Sequence, residues 1–127
     1  GRVLKVLGLP RIDRKNASAN FEKINDSISK VIKNKNSIMI FPEGKRSNQR
    51  DLLPFKKGAA YISKEFQLPI IPVVTHNAHN LMRKGEVWLR SGEITIEILD
   101  PINYSEELTV EEVTTKIFNL IGEKLKV

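Results

Sequence analysis

A chain of 127 residues, 40% hydrophobic and 28% charged, suits one globular domain and argues against disorder. It has no cysteine, so disulfides, thiolate metal sites and cysteine nucleophiles are excluded. The net charge of +6 divides into +9 over residues 1–66 and −3 over residues 67–127, so the first half either favours an anionic partner or carries a solvated lysine-rich surface.

Val3, Leu4 and Leu7 read as the end of an apolar helix stopped by Gly8, and a short extended piece follows Pro10. Phe21, Ile24, Ile28, Val31 and Ile32 recur at helical spacing, which predicts an amphipathic helix over 20–33, ended by residues 34–36. Residues 37–41 (S-I-M-I-F) form a compact apolar run of the kind buried on both faces of a parallel sheet. A polar, basic loop over 42–54 leads to a predicted helix over 57–66 and a second buried strand over 70–75. This strand–loop–helix–strand order is a βαβ unit, with a right-handed crossover expected.

Further on, 86–90 and 93–99 are strand candidates joined by a Ser91-Gly92 turn, and Trp88 reads as a partly buried strand residue. Ile94, Ile96 and Ile98 alternate with Thr95 and Glu97, which predicts one buried and one wet face. Thr109-Val-Glu-Glu112 is a capping box opening a last helix with Val113, Ile117, Leu120, Ile121 and Leu125 on one side. The expected class is α/β, a mixed and largely parallel sheet flanked by helices. No apolar run approaches the roughly 20 residues of a membrane-spanning helix.

The chemistry concentrates in Phe41-Pro-Glu-Gly-Lys-Arg-Ser47, with Arg50 close behind. A strand would deliver this loop to the carboxyl edge of the sheet, where α/β folds place ligands. Pro42 stiffens the exit, and Gly44 permits a backbone geometry or a close approach that a side chain would block. Lys45, Arg46 and Arg50, followed by Lys56 and Lys57, can grip a phosphate, and the start of the next helix can add its partial positive charge. Glu43 can orient an arginine or accept a bond from a substrate hydroxyl. On local chemistry alone, a surface turn with solvated charges explains the same residues.

This block resembles the F-P-E-G-T-R-S block of the lysophosphatidate and glycerol-3-phosphate acyltransferases (the PlsC type). Gly8-Leu-Pro-Arg-Ile-Asp-Arg14 is similar to the family's upstream G-x-x-F-I-D-R block. Leu68-Pro-Ile-Ile-Pro-Val73 is similar to its downstream V-P-I-V-P-V block, and Phe55-Lys-Lys-Gly-Ala59 matches the segment between. Lys45 stands where the family has Thr, and Arg11 where it has an apolar residue.

The resemblance implies an acyltransferase that moves a fatty acyl group from acyl-CoA or acyl carrier protein to a phosphorylated glycerol lipid such as lysophosphatidate. It implies that Arg14 and Arg46 bind the acceptor's phosphate, that Glu43, Gly44 and Ser47 shape the acceptor pocket, and that Pro69 and Pro72 wall the acyl site. No cofactor is expected. The protein would act at the cytoplasmic face of an anionic membrane surface.

The family's general base belongs to a His-x4-Asp block preceding these motifs, its histidine taking the acceptor hydroxyl's proton. Five residues after His76 stands Leu81, and five after His79 stands Lys84, so neither histidine completes the pattern. The expectation is therefore residues 1–127 as the carboxyl-terminal portion of a single acyltransferase domain, with the base upstream of Gly1 and the chain inactive alone. The alternative is a non-catalytic lipid- or acyl-thioester-binding relative. His76 and His79 have no obvious third metal ligand, and a loop reading suits them better. A nucleic-acid partner is not expected, because the aromatics are few and not interleaved with basic residues.

Overall fold

The computed structural model describes residues 17–45, 51–81, 85, 87–88, 90–103 and 105–125. They fall into two compact units, Gly1–Met39 and Ile40–Val127.

In the first unit, helix α1 spans Ala17–Lys33, as the apolar spacing predicts, with Ile28 buried. Its end is a Schellman motif built on lysine rather than glycine. Lys35 takes φ +55°, its N–H donates to Ile32 O at 2.9 Å, and Asn36 N–H donates to Val31 O at 3.1 Å. Two of the last helical carbonyls are thereby satisfied.

The second unit contains α2 (Gly58–Phe66), β1 (Val73–His76), α3 (Ala78–Leu81), β2 (Thr95–Ile98) and α4 (Val110–Leu125). α2 stops at Gln67, which takes φ +52°, while Leu68 N–H donates back to Ser63 O at 3.0 Å. α4 opens on the predicted capping box. Glu112 N–H donates to Thr109 Oγ1 at 3.2 Å and Thr109 N–H donates to Glu112 Oε2 at 2.7 Å. The bond from Thr109 N–H, followed by one from the Thr109 hydroxyl at 2.8 Å, holds the Glu112 carboxyl below its ordinary pKa.

β1 and β2 pair antiparallel, with Val73 opposite Ile98 and Thr75 opposite Ile96. An antiparallel bridge between Ile70 and Ile102 lies outside the two strands, with N–O distances of 2.9 and 2.8 Å. One face of the pair turns Val74 towards α4, where it joins Ile102, Ile117 and Ile121 in the core. Leu52, Phe55, Ile70, Leu99, Val113 and Leu120 pack around this centre, and Phe55 meets Phe118 edge-on at 5.2 Å.

Several expectations meet a different structure. Residues 37–41 carry no strand, Met39 and Phe41 are 77% and 78% exposed, and the run has no ladder partner among the described residues. The described strands form an antiparallel pair, and no parallel pairing appears among the described residues.

Of the expected hairpin between 86–90 and 93–99, residues 86 and 89 lie outside the described residues, 87, 88 and 90 carry no strand, β2 pairs with β1, and Trp88 is 83% exposed. Arg90 N–H donates instead to Leu81 O at 3.0 Å.

The alternation in β2 is real, but its isoleucines face away from α4. Ile96 and Ile98 are 63% and 71% exposed, because the register sets them beside Val73 and Thr75 on the face opposite Val74.

Candidate functional site

The basic loop begins where Phe41, Pro42 and Glu43 lead into Gly44, whose φ of +68° lies in the left-handed region that glycine enters without strain. Gly44 N–H closes the turn on Phe41 O at 3.0 Å. The chain then returns beside its own exit. Lys56 N–H donates to Pro42 O at 2.8 Å, and Leu53 N–H donates to Glu43 Oε2 at 3.0 Å. Leu52 and Phe55 on the returning limb pack against the core around Val74, so the loop is rooted in the sheet and α4.

These contacts distribute the charges. The half-buried Glu43 turns its carboxylate to the returning main chain, whereas Gly44, Lys45 and Lys56 remain exposed. Lys57, next in sequence to Lys56, makes an ion pair with Glu111 in the first turn of α4. Hydrogen bonding from Lys57 is the main cause holding the Glu111 carboxyl below its ordinary value. The two adjacent lysines thus have different surroundings.

Of the site residues expected from the sequence, the structure brings Glu43 and Gly44 together with Leu53 and Lys56. Arg14, Arg46 and Ser47 lie outside the described residues. Pro72 is buried, and its carbonyl accepts Leu99 N–H at 3.0 Å, which extends the β1–β2 ladder; Pro69 is exposed. A depression of about 560 Å³ runs along α4, lined by Glu111, Thr115, Lys116, Asn119 and Glu123 with two neighbours. Its predominance of carboxylates suits an anionic ligand poorly, and it contains none of the expected site residues.

The histidines have separate surroundings. His76 Nε2 lies 3.2 Å from Glu97 Oε2 across the strand pair, and Lys124 Nζ lies 2.8 Å from Glu97 Oε1. The Lys124 bond, followed by the His76 bond, depresses the Glu97 pKa, and Glu97 in turn raises that of Lys124. This network fastens the end of α4 to the sheet. No sequence motif pointed to it, since its members are 21 and 27 residues apart in the chain.

Residues 1–76 match the family model described as Acyltransferase. The 1-acyl-sn-glycerol-3-phosphate acyltransferase of Cocos nucifera is 40% identical over 102 residues, covering 80% of this chain and 33% of that protein. The Salmonella typhimurium protein of the same name is 36% identical over 106 residues, covering 84% and 42%. The human 1-acyl-sn-glycerol-3-phosphate acyltransferase beta is 31% identical over 102 residues, covering 80% and 37%. The crystal structure of the 1-acyl-sn-glycerophosphate (LPA) acyltransferase PlsC from Thermotoga maritima superposes with a TM-score of 0.66 at 24% identity, over 79% of this chain and 43% of that one. The chain spans about a third to two fifths of the length of these curated relatives.

Proposed function

The chain belongs to the acyltransferase family, and on that premise we propose that the protein transfers a fatty acyl group from an acyl thioester to 1-acyl-sn-glycerol 3-phosphate. The acceptor's hydroxyl oxygen attacks the thioester carbonyl, an ester forms, the carbon–sulfur bond breaks, and the thiol leaves with the proton. These residues serve the acceptor side of that reaction, as part of a single acyltransferase domain.

The observation that carries this reading is the Gly44 turn. Its glutamate is tied to the returning main chain and its exposed groups are cationic. A phosphomonoester fits such a surface by charge and by hydrogen bonding. Arg14 and Arg46 bind the phosphate, Glu43, Gly44 and Ser47 shape the pocket, and Pro69 and Pro72 form the wall beside the acyl chain. The donor is acyl-CoA or acyl carrier protein, and the lipid acceptor is met at the cytoplasmic face of an anionic membrane. No helix among the described residues is long and apolar enough to cross one.

The test is acyl transfer by the full-length protein with Arg46→Ala. Loss of a charge-assisted phosphate contact lowers kcat/KM for the acceptor by about tenfold to a hundredfold. Unchanged kcat/KM would remove Arg46 from the phosphate site. Absence of transfer by the wild-type protein would sink the assigned reaction.

A further inference from the structure

Two lysines stand side by side at the start of α2, and the structure separates them. Lys57 is committed to Glu111. Lys56 turns the other way, across the Gly44 turn. A Cβ added to Gly44 would lie 2.8 Å from Lys56 Cε, 3.0 Å from Nζ and 3.1 Å from Cδ, so the lysine's end occupies the space a side chain at 44 would fill. The bond from Lys56 N–H to Pro42 O fixes the base of the side chain. Gly44 therefore supplies a left-handed backbone and also room for a crossing ammonium.

The resulting surface is cationic. The Lys56 ammonium is exposed and has no carboxylate partner among the described residues. Glu43, the acidic side chain of the turn itself, is bonded to Leu53 N–H. Lys45 adds a second exposed cation beside Gly44. Two exposed cations at one turn give an approaching anion a favourable potential.

We propose that Lys56 binds the phosphate of the acceptor, held over the Gly44 turn for that purpose, while Lys57 serves only to join α2 to α4. The assignment rests on the acceptor chemistry proposed above and adds a residue and a division of labour to it. Lysine acts here as a point charge with a rotatable donor, so arginine replaces it in kind and methionine does not.

The experiment uses the full-length protein with Lys56→Met, Lys56→Arg and Lys57→Met, assayed at saturating donor. Lys56→Met raises the acceptor KM about tenfold and leaves the donor KM unchanged, Lys56→Arg recovers most of the loss, and Lys57→Met leaves the acceptor KM at the wild-type value. With a monoacylglycerol, which has no phosphate, wild type and Lys56→Met give equal rates. An unchanged acceptor KM in Lys56→Met, an equal rise in Lys57→Met, or the same loss on both acceptors would overturn the proposal.

Calorimetric binding of glycerol 3-phosphate gives a readout independent of turnover, in which Lys56→Met weakens binding about tenfold. If wild type binds it but transfers no acyl group, the reaction fails and Lys56 stands. If transfer proceeds and Lys56→Met binds as tightly as wild type, Lys56 fails and the reaction stands. A wild-type protein that does neither refutes both.

Discussion

Replacing Glu43 distinguishes a residue that shapes the turn from one that touches the acceptor. Its carboxylate accepts the partly buried Leu53 N–H at 3.0 Å, spanning ten residues of loop. Glu43→Ala leaves that donor without a protein acceptor. A bond to a charged group is worth about 1.5–3 kcal/mol, and partial access to water brings the loss down to about 1 kcal/mol. For a protein of a few hundred residues, this lowers Tm by about 2–4 °C. Glu43→Gln keeps a carbonyl oxygen at the same reach, so its Tm falls by about 1 °C or less. Thermal unfolding of the full-length protein and initial rates of acyl transfer are measured on the same samples. If Glu43 acts through Leu53, glutamine retains most of kcat/KM and alanine loses it together with Tm. A glutamine variant with wild-type Tm and activity as poor as alanine's would refute the reasoning, because the negative charge itself would then act on the substrate.

Gly92→Ala sets a Cβ 2.4 Å from Leu81 Cδ2, so Leu81 or the main chain must move; the cost is about 1–3 kcal/mol, read as a drop in Tm. Adding Leu81→Ala removes the clash, so the double variant should be less unstable than the two losses summed, and strict additivity would contradict the contact. Glu97 has a depressed folded-state pKa, so its stabilising contribution is complete above the ordinary carboxylate value of about 4.3 and is lost as pH falls through the lower folded value. Wild type should therefore exceed Glu97→Gln in Tm near neutrality, with the gap closing under acid conditions; a gap that stays constant down to about pH 3 would show that the Lys124 and His76 contacts contribute nothing.

The elements legible in the sequence are those whose determinants are local. α1 and α4 follow from apolar spacing within one helix, and the start of α4 follows from Thr109 and Glu112, which satisfy each other three residues apart. Sheet pairing is different. Residues 86–90 and 93–99 have a suitable turn between them, yet β2 pairs with β1, whose residues lie 19 to 25 positions upstream of their partners and bring Val74 to α4 in the core. Alternation in β2 correctly separates two faces but cannot say which one α4 covers. Glu97 faces α4 because Lys124 and His76 receive it there, partners that no short-range pattern reveals.

The site follows the same division. Phe41-Pro-Glu-Gly-Lys is readable because a turn at Gly44 requires a residue that tolerates φ +68°, and proline and glycine mark it in any context. Lys56 and Lys57 are indistinguishable as letters. What separates them is the boundary at Gly58. Lys57 is the cap residue of α2 and meets Glu111 on α4, whereas Lys56 still belongs to the extended limb whose N–H is bonded to Pro42 O. One peptide unit across that boundary redirects an ammonium from a structural ion pair to the exposed turn. The motif therefore extends functionally beyond its contiguous letters, to a lysine twelve residues past Gly44 that the glycine leaves room for.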